Sequence, residues 1–218
     1  MKYPHLEWRH NRQKTVYEGK IFRIVEAERE AADGRVAHYS LVDSPDWAHV
    51  IAVVPDDAGR DCFVMVRQYR QGGKFTTLEF PGGVIDDGED SAVAALRELR
   101  EETGFEADRV ELIGQTNPNP AFMTNTVYTY LAHGVRRSSV QDLDTNEIVD
   151  VELVPIERLE ADGGETTTPG GNGADELGAA AGTDQSGALV VDPAGEFFSH
   201  GIMIIGRHWY QRYLRTRT

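Results

Sequence analysis

Residues 83–105 read Gly83-Val84-Ile85-Asp86-Asp87-Gly88-Glu89-Asp90-Ser91-Ala92-Val93-Ala94-Ala95-Leu96-Arg97-Glu98-Leu99-Arg100-Glu101-Glu102-Thr103-Gly104-Phe105. Glu98 and Glu102 are four positions apart and Glu98 and Glu101 three, so on an α-helix the three carboxylates rise from one face as close neighbours. Like charges so placed repel, and helix propensity supplies no reason for them. Arg97 and Arg100 are expected to point around the helix and away from the cluster. A divalent cation resolves the conflict, and a donor set of hard oxygens with no Cys or His suits Mg²⁺ or Mn²⁺ better than zinc. Ala92, Ala95, Leu96 and Leu99 recur at three- and four-residue steps, which gives the same helix an apolar stripe to bury beside its acidic face. A solvated charged face is the plain alternative for helical glutamates. Such a face does not require Gly83, Glu89 and Gly104 at set distances, and it interleaves lysine more evenly.

Upstream, residues 62–69 (CFVMVRQY) form an apolar, β-branched run of strand character. A turn at Gln71-Gly72-Gly73 and a second short strand over 76–80 follow. Pro81-Gly82-Gly83 is expected to break the sheet, and its glycines let the main chain approach a ligand closely. Downstream, the polar segment Gln141-Asp142-Leu143-Asp144-Thr145-Asn146-Glu147 precedes a strand-like stretch over 148–154. Residues 162–187 are rich in Gly, Thr, Ala and Asp with almost no large apolar side chains, the composition of a flexible, solvated insert. Helical periodicity resumes over 197–214, with Ile202, Ile205, Trp209 and Leu214 among its apolar positions.

The spacing Gly83-x5-Glu89-x7-Arg97-Glu98-Leu99-x-Glu101-Glu102-x-Gly104-Phe105 resembles the Nudix box and is complete. Similarity to the branch that hydrolyses ADP-ribose and other nucleoside-diphosphate sugars extends beyond it. Tyr17-Glu18-Gly19-Lys20-Ile21-Phe22, Val66-Arg67-Gln68-Tyr69-Arg70, Leu78-Glu79-Phe80-Pro81-Gly82-Gly83 and Asn117-Pro118-Asn119-Pro120-Ala121-Phe122 look like landmarks of that branch. The resemblance implies an α/β/α sandwich with a mixed sheet and a small N-terminal β subdomain. It divides the chain into residues 1–47, for dimerisation and the base side of the substrate, and a hydrolase domain over 48–218. It also implies a homodimer.

Carried over by position, the resemblance implies a metal held by Glu98, Glu101, Glu102 and the Gly82 carbonyl. Arg97 and Glu89 take structural roles. The catalytic set is then Glu98, Glu101 and Glu102, with Glu147 as the candidate base just before a strand. Arg70 matches an arginine on the substrate diphosphate, Glu79 a residue near the terminal ribose or its phosphate, and Phe22 or Tyr39 would stack on the base. Each has a competing reading: an acidic surface loop for Glu147, a solvated strand end for Arg70, core packing for Phe22 and Tyr39. Two departures bear on substrate choice. Gly82 stands where many ADP-ribose hydrolases have alanine, and Val42-Asp43-Ser44-Pro45 lacks the basic residue some of them place near phosphate.

The implied activity is Mg²⁺-dependent cleavage of a diphosphate linkage, most naturally in ADP-ribose or another nucleotide sugar. Dinucleoside polyphosphates or nucleoside triphosphates are the alternative substrates. A module that senses nucleotide sugars without catalysis is the alternative of another class, and the intact carboxylate set argues against it. A formal charge of −14 opposes binding nucleic acid through a general phosphate-seeking surface. The seven histidines show no metal-ligand spacing, and His200 and His208 are expected to cap or pack. The single cysteine, Cys62, is expected to pack in its strand. No stretch approaches a membrane span and the N-terminus lacks an apolar signal core, so a soluble cytoplasmic location is expected.

Overall fold

After a 3-10 turn at Pro4–Leu6 the chain forms an antiparallel meander. In the computed structural model, which describes residues 2–138, 140–157 and 201–217, β1 (Trp8–Glu18), β2 (Arg23–Ala31) and β3 (Val36–Asp43) pair in that order. Val25, Ala27, Arg29 and Ala31 alternate as buried residues along β2, the period-2 pattern of a strand with one covered face. β1 is exposed along almost its whole length. Two hydrogen bonds hook the meander to the rest of the chain: Val42 N–H donates to the Phe122 carbonyl at 2.8 Å, and Thr124 N–H to the Val42 carbonyl at 3.1 Å.

The later elements are β4 (Trp47–Ile51), β5 (Val53–Pro55), β6 (Asp61–Arg70), β7 (Phe75–Glu79), β8 (Gly82–Val84), α1 (Ser91–Thr103), β9 (Phe105–Glu106), β10 (Arg109–Thr116), β11 (Val127–His133), β12 (Arg136–Arg137), β13 (Val149–Pro155) and α2 (Gly201–Arg217). A mixed sheet runs β10-β11-β4-β8, parallel only between β11 and β4. An antiparallel sheet runs β13-β6-β5, with β7 also on β6. Ala52, between β4 and β5, accepts from Val64 N–H at 2.9 Å, so one length of chain serves both sheets.

Consecutive buried residues along β4 and β6 require cover on both faces. Ala48, Val50 and Ala52 pack with Ala94, Ala95 and Leu99 of α1. Ile51 and Phe63 pack with Met203 of α2, and Tyr210 and Tyr213 of the same helix pack against this cluster. The two helices thus cover opposite faces of the strands, which is the expected α/β/α sandwich.

Two expectations need correction. Gly82-Gly83 does not break the sheet: with Val84 it forms β8 and pairs antiparallel with β4, His49 opposite Gly82 and Trp47 opposite Val84. Glycine there meets a close approach, since a Cβ on Gly82 would lie 2.4 Å from the Ala48 carbonyl oxygen. In α2 the buried face carries Met203 and Gly206, whereas Leu214 is exposed. Trp209 lies over Gly114, where a Cβ would come within 2.1 Å of the indole. His208 is exposed, with its ring against Trp209. His200 and the 162–187 segment lie outside the described residues. Cys62 is buried, and burial raises its thiol above the usual range. No helix among the described residues is long and apolar enough to cross a membrane.

Candidate active site

Asp90 starts α1 by accepting the Ala92 N–H at 2.9 Å, and Gly104 ends it in the left-handed region at φ 70°, its N–H donating to the Arg100 carbonyl at 2.8 Å. These caps set which face meets β8. Glu98 and Glu102 turn inward, 9 % and 5 % exposed, while Glu101 stays half-buried. The Glu98 carboxylate occupies the space a side chain on Gly83 would take, for a Cβ there would sit 2.4 Å from its Oε1. Gly82 N–H donates to Glu102 Oε2 at 2.8 Å. Two carboxyls forced into so small and dry a space resist ionisation. Burial first, then Glu101 and Glu147, push Glu98 up to about 7 against the pull of Arg97. Burial first, then Glu98 and Glu147, push Glu102 up to about 8 against the Gly82 N–H and Arg70.

Arg97 does not point around the helix as expected. Its Nε and Nη2 grip Glu89 at 2.9 Å each, Nη2 also reaches the Val84 carbonyl at 3.0 Å, and Nη1 donates to Glu98 at 2.8 Å and Glu101 at 3.2 Å. It therefore ties the loop before α1 to the acidic face. Glu89 is held below the usual carboxylate range, chiefly by that arginine fork. Arg100 adds a 3.3 Å contact to Glu101.

The 141–147 loop is fastened over the same face by the end of α1. Gln141 Nε2 donates to the Glu102 carbonyl at 2.6 Å and the Val149 carbonyl at 3.0 Å, and Asp142 N–H donates to the Glu101 carbonyl at 2.9 Å. These bonds satisfy helix carbonyls that have no partner within the helix. Glu147 is exposed, accepts the Asp144 N–H at 3.1 Å, and lines one cavity of about 720 Å³ with Glu98, Glu101 and Glu102. Ile21, in the turn between β1 and β2, also lines it.

Arg70 lines both that cavity and a second, of about 540 Å³, as do Trp47, Gly82 and Gly83. It is not a solvated strand end. Its Nε donates to Glu79 at 2.7 Å and its Nη2 to the other oxygen of the same carboxylate. Glu79 is 2 % exposed and also accepts the Thr77 hydroxyl. Arg70, Phe75, Thr77 and Glu79 share one face of the β6–β7 hairpin, Arg70 directly opposite Phe75. Phe22 and Tyr39 are exposed and line neither cavity, and Tyr39 makes an edge contact with Trp8 at 5.8 Å.

Sequence reasoning named Gln141 only as part of a polar loop, without its anchoring role, and missed Trp47 and His49. His49 is buried, its Nε2 2.8 Å from Thr129 Oγ1 on the neighbouring strand β11. Nothing local marks these residues. A Trp-x-His pair inside an apolar strand acquires meaning only once β8 and β11 flank it.

The site offers a cation only oxygen donors on its acidic wall, and two of them are carboxyls that burial holds near neutrality until a positive charge arrives. That fits a hard divalent ion. Among the described residues no three His, Cys, Asp or Glu side chains converge into a finished cage. Arg97, Arg100 and the Gly82 N–H already occupy Glu98, Glu101 and Glu102.

A NUDIX domain model matches residues 46–169. The chain is 31% identical over 147 residues to a methanol dehydrogenase activator of Bacillus methanolicus, covering 66% of this chain and 77% of that protein. It is 30% identical over 146 residues, with the same coverage, to an ADP-ribose pyrophosphatase of Bacillus subtilis. A crystal structure of an ADP compounds hydrolase aligns with a TM-score of 0.67 and 19% identity, over 97% of this chain and 96% of that one, a likeness of fold. The chain belongs to the Nudix family. It is a Nudix pyrophosphohydrolase, on the side of the family that contains the ADP-ribose pyrophosphatases.

Proposed function

We propose that this enzyme hydrolyses the diphosphate linkage of a nucleoside diphosphate sugar, with ADP-ribose as the leading candidate, to a nucleoside monophosphate and a sugar phosphate. The observation that carries this reading is that buried Glu98 and Glu102 and the ion-paired Arg70 line one cavity, a place for a cation and an anion together. The ADP-ribose pyrophosphatase of Bacillus subtilis supports the choice of substrate.

Glu98, Glu101 and Glu102, with the Gly82 carbonyl, are the residues that would hold Mg²⁺, or Mn²⁺ in its place. Bound there, the ion supplies positive charge against that gathering on the phosphoryl oxygens and the leaving group. Glu98 and Glu101 have to exchange hydrogen bonds with Arg97 and Arg100 to serve as ligands, which rotation of long glutamate side chains allows. Arg70, fixed by Glu79, orients the diphosphate. Glu147 takes the proton of the attacking water as its oxygen bonds to phosphorus and the anhydride P–O bond breaks. The bland alternative, a surface loop, does not explain why Gln141 and Asp142 fasten this segment to the carbonyl end of α1.

The N-terminal meander, with β1 exposed on both faces, is the proposed element of a homodimer. Elution at monomer size in gel filtration would remove that assignment. The function itself is tested by incubating the protein and Mg²⁺ with nucleotide sugars, dinucleoside polyphosphates and nucleoside triphosphates. Matched release of nucleoside monophosphate and sugar phosphate from the first group is expected. Turnover confined to the other two would overturn the substrate assignment.

A further inference from the structure

We propose that Met203, on α2, is a positioning residue for the metal site on the opposite face of the strands. Its thioether sulfur fixes the Phe80 N–H, and through it the link that carries Gly82 and Gly83. The proposal rests on the reading of the acidic cavity as a metal-dependent hydrolase site and adds a residue that touches neither metal nor substrate.

Phe80 and Pro81 are the whole of the link between β7, which ends at Glu79, and β8, which starts at Gly82. Phe80 follows the last pair of the β6–β7 ladder, Val66 with Glu79, and precedes the first of β4–β8, His49 with Gly82. Its N–H belongs to neither ladder. Phe80 is nevertheless buried, and a buried N–H needs an acceptor. The acceptor is Met203 Sδ at 3.0 Å. Pro81 has no N–H to offer and confines Phe80 to extended backbone. Its carbonyl accepts the Val50 N–H at 2.9 Å, and the Gly82 N–H goes to Glu102. The link is thus tied to β4 at Pro81, to α1 at Gly82 and to α2 at Phe80.

Gly206 brings α2 close enough for this contact, since a Cβ there would lie 3.2 Å from both the Phe80 ring and His49 Nε2. Phe63 of β6 meets the same ring edge-on at 5.4 Å. Met203 is itself buried and packs with Ile51, Phe63 and Leu78. Among the described residues α2 lines the second cavity, through Ile202 and Met203, and not the acidic one. Leucine would serve that packing equally well. What leucine lacks is a lone pair for the N–H, which a thioether supplies, though weakly. A shift of Phe80 moves Gly82, whose carbonyl is a proposed ligand and whose N–H holds Glu102, and Gly83, against which Glu98 is seated.

The test compares the wild type with three variants. Met203→Leu keeps the volume and removes the acceptor, Met203→Gln restores an acceptor at similar reach, and Ile202→Val trims the same helix without touching the Phe80 N–H. Mn²⁺ affinity is read by electron paramagnetic resonance without substrate, and protection of the Phe80 amide by hydrogen exchange followed by NMR. Met203→Leu should weaken Mn²⁺ binding about tenfold and speed Phe80 exchange about tenfold. Met203→Gln should return Mn²⁺ affinity to within about threefold of wild type. Ile202→Val should lower the urea midpoint and change that affinity less than about twofold. Wild-type affinity in folded Met203→Leu, an equal loss in Ile202→Val, or no recovery in folded Met203→Gln would overturn the proposal, because α2 would then act through packing alone. Should Met203→Leu fail to fold by circular dichroism, the wild type still decides: a Phe80 amide that exchanges as fast as exposed amides has no acceptor, and the proposal falls. Absence of Mn²⁺ binding by the wild type would sink the functional reading itself, whereas binding that Met203→Leu leaves intact sinks only this inference.

Discussion

Replacing Glu102 by glutamine separates the stability the site consumes from the chemistry it permits. Burial and the neighbouring carboxylates raise this carboxyl from 4.5 to about 8. At about 1.4 kcal/mol per pH unit, the ionised form is roughly 5 kcal/mol harder to hold in the folded chain than in the unfolded one. The sign follows from the direction. Between pH 4.5 and 8 the folded chain keeps a proton that the unfolded chain has released, so metal-free stability falls as pH rises through that window. Glu98, raised to about 7, adds its own decline over the lower part. Glutamine has no charge to bury, and its amide oxygen still accepts the Gly82 N–H. Its new amide hydrogens need acceptors, which takes back about 1–3 kcal/mol. The variant should be no more stable than wild type near pH 4.5 and about 2–4 kcal/mol more stable at pH 9 in EDTA, while Mg²⁺-dependent turnover falls by orders of magnitude. Urea denaturation at pH 4.5, 7 and 9, with initial rates in Mg²⁺, reads both effects. A wild-type stability that stays flat across this range, with no gain in the variant at pH 9, would refute the reasoning.

Other substitutions probe the surroundings of these carboxylates. Gly83→Ala puts a methyl 2.4 Å from Glu98 Oε1 and should weaken activation by Mg²⁺ about 10–100-fold with little change in Tm, read by metal titration of the rate. Arg97→Ala leaves Glu89 unpaired and unties the loop from α1; a loss of about 2–4 kcal/mol is expected in chemical denaturation, below that of a fully buried pair because the arginine is partly exposed. Glu147→Gln should lower kcat about 10²–10⁴-fold with KM nearly unchanged, in steady-state kinetics.

The parts of the fold that the sequence discloses are those encoded locally. The apolar steps at Ala92, Ala95, Leu96 and Leu99 mark a helix over residues that the structure places in α1. Glu98, Glu101 and Glu102 declare a shared face by spacing alone. β6 and β13 read as strands from β-branched runs. β8 was not legible, since three residues with two glycines carry no periodicity and the strand exists only because β4 lies close enough to exclude a Cβ on Gly82. The buried face of α2 was displaced for a similar reason. Met203 and Gly206 meet Phe80, a long-range contact invisible to periodicity, while Leu214 stays exposed. Arg97 was misdirected because helix geometry alone ignores Glu89, whose carboxylate draws the guanidinium across the acidic face. The second cavity joins β4, a hairpin and the last helix, and no stretch of sequence announces such a meeting.

Mn²⁺ titration followed by electron paramagnetic resonance examines the acidic wall directly, comparing the wild type with a Glu98→Gln, Glu102→Gln double variant of unchanged circular dichroism. Saturable binding by the wild type that tightens between pH 6 and 9, as protons leave Glu98 and Glu102, and disappears in the double variant is the predicted result. Equal Mn²⁺ affinity in both proteins would contradict it, because the ion would then be held by something other than the carboxylates buried beside Gly82 and Gly83.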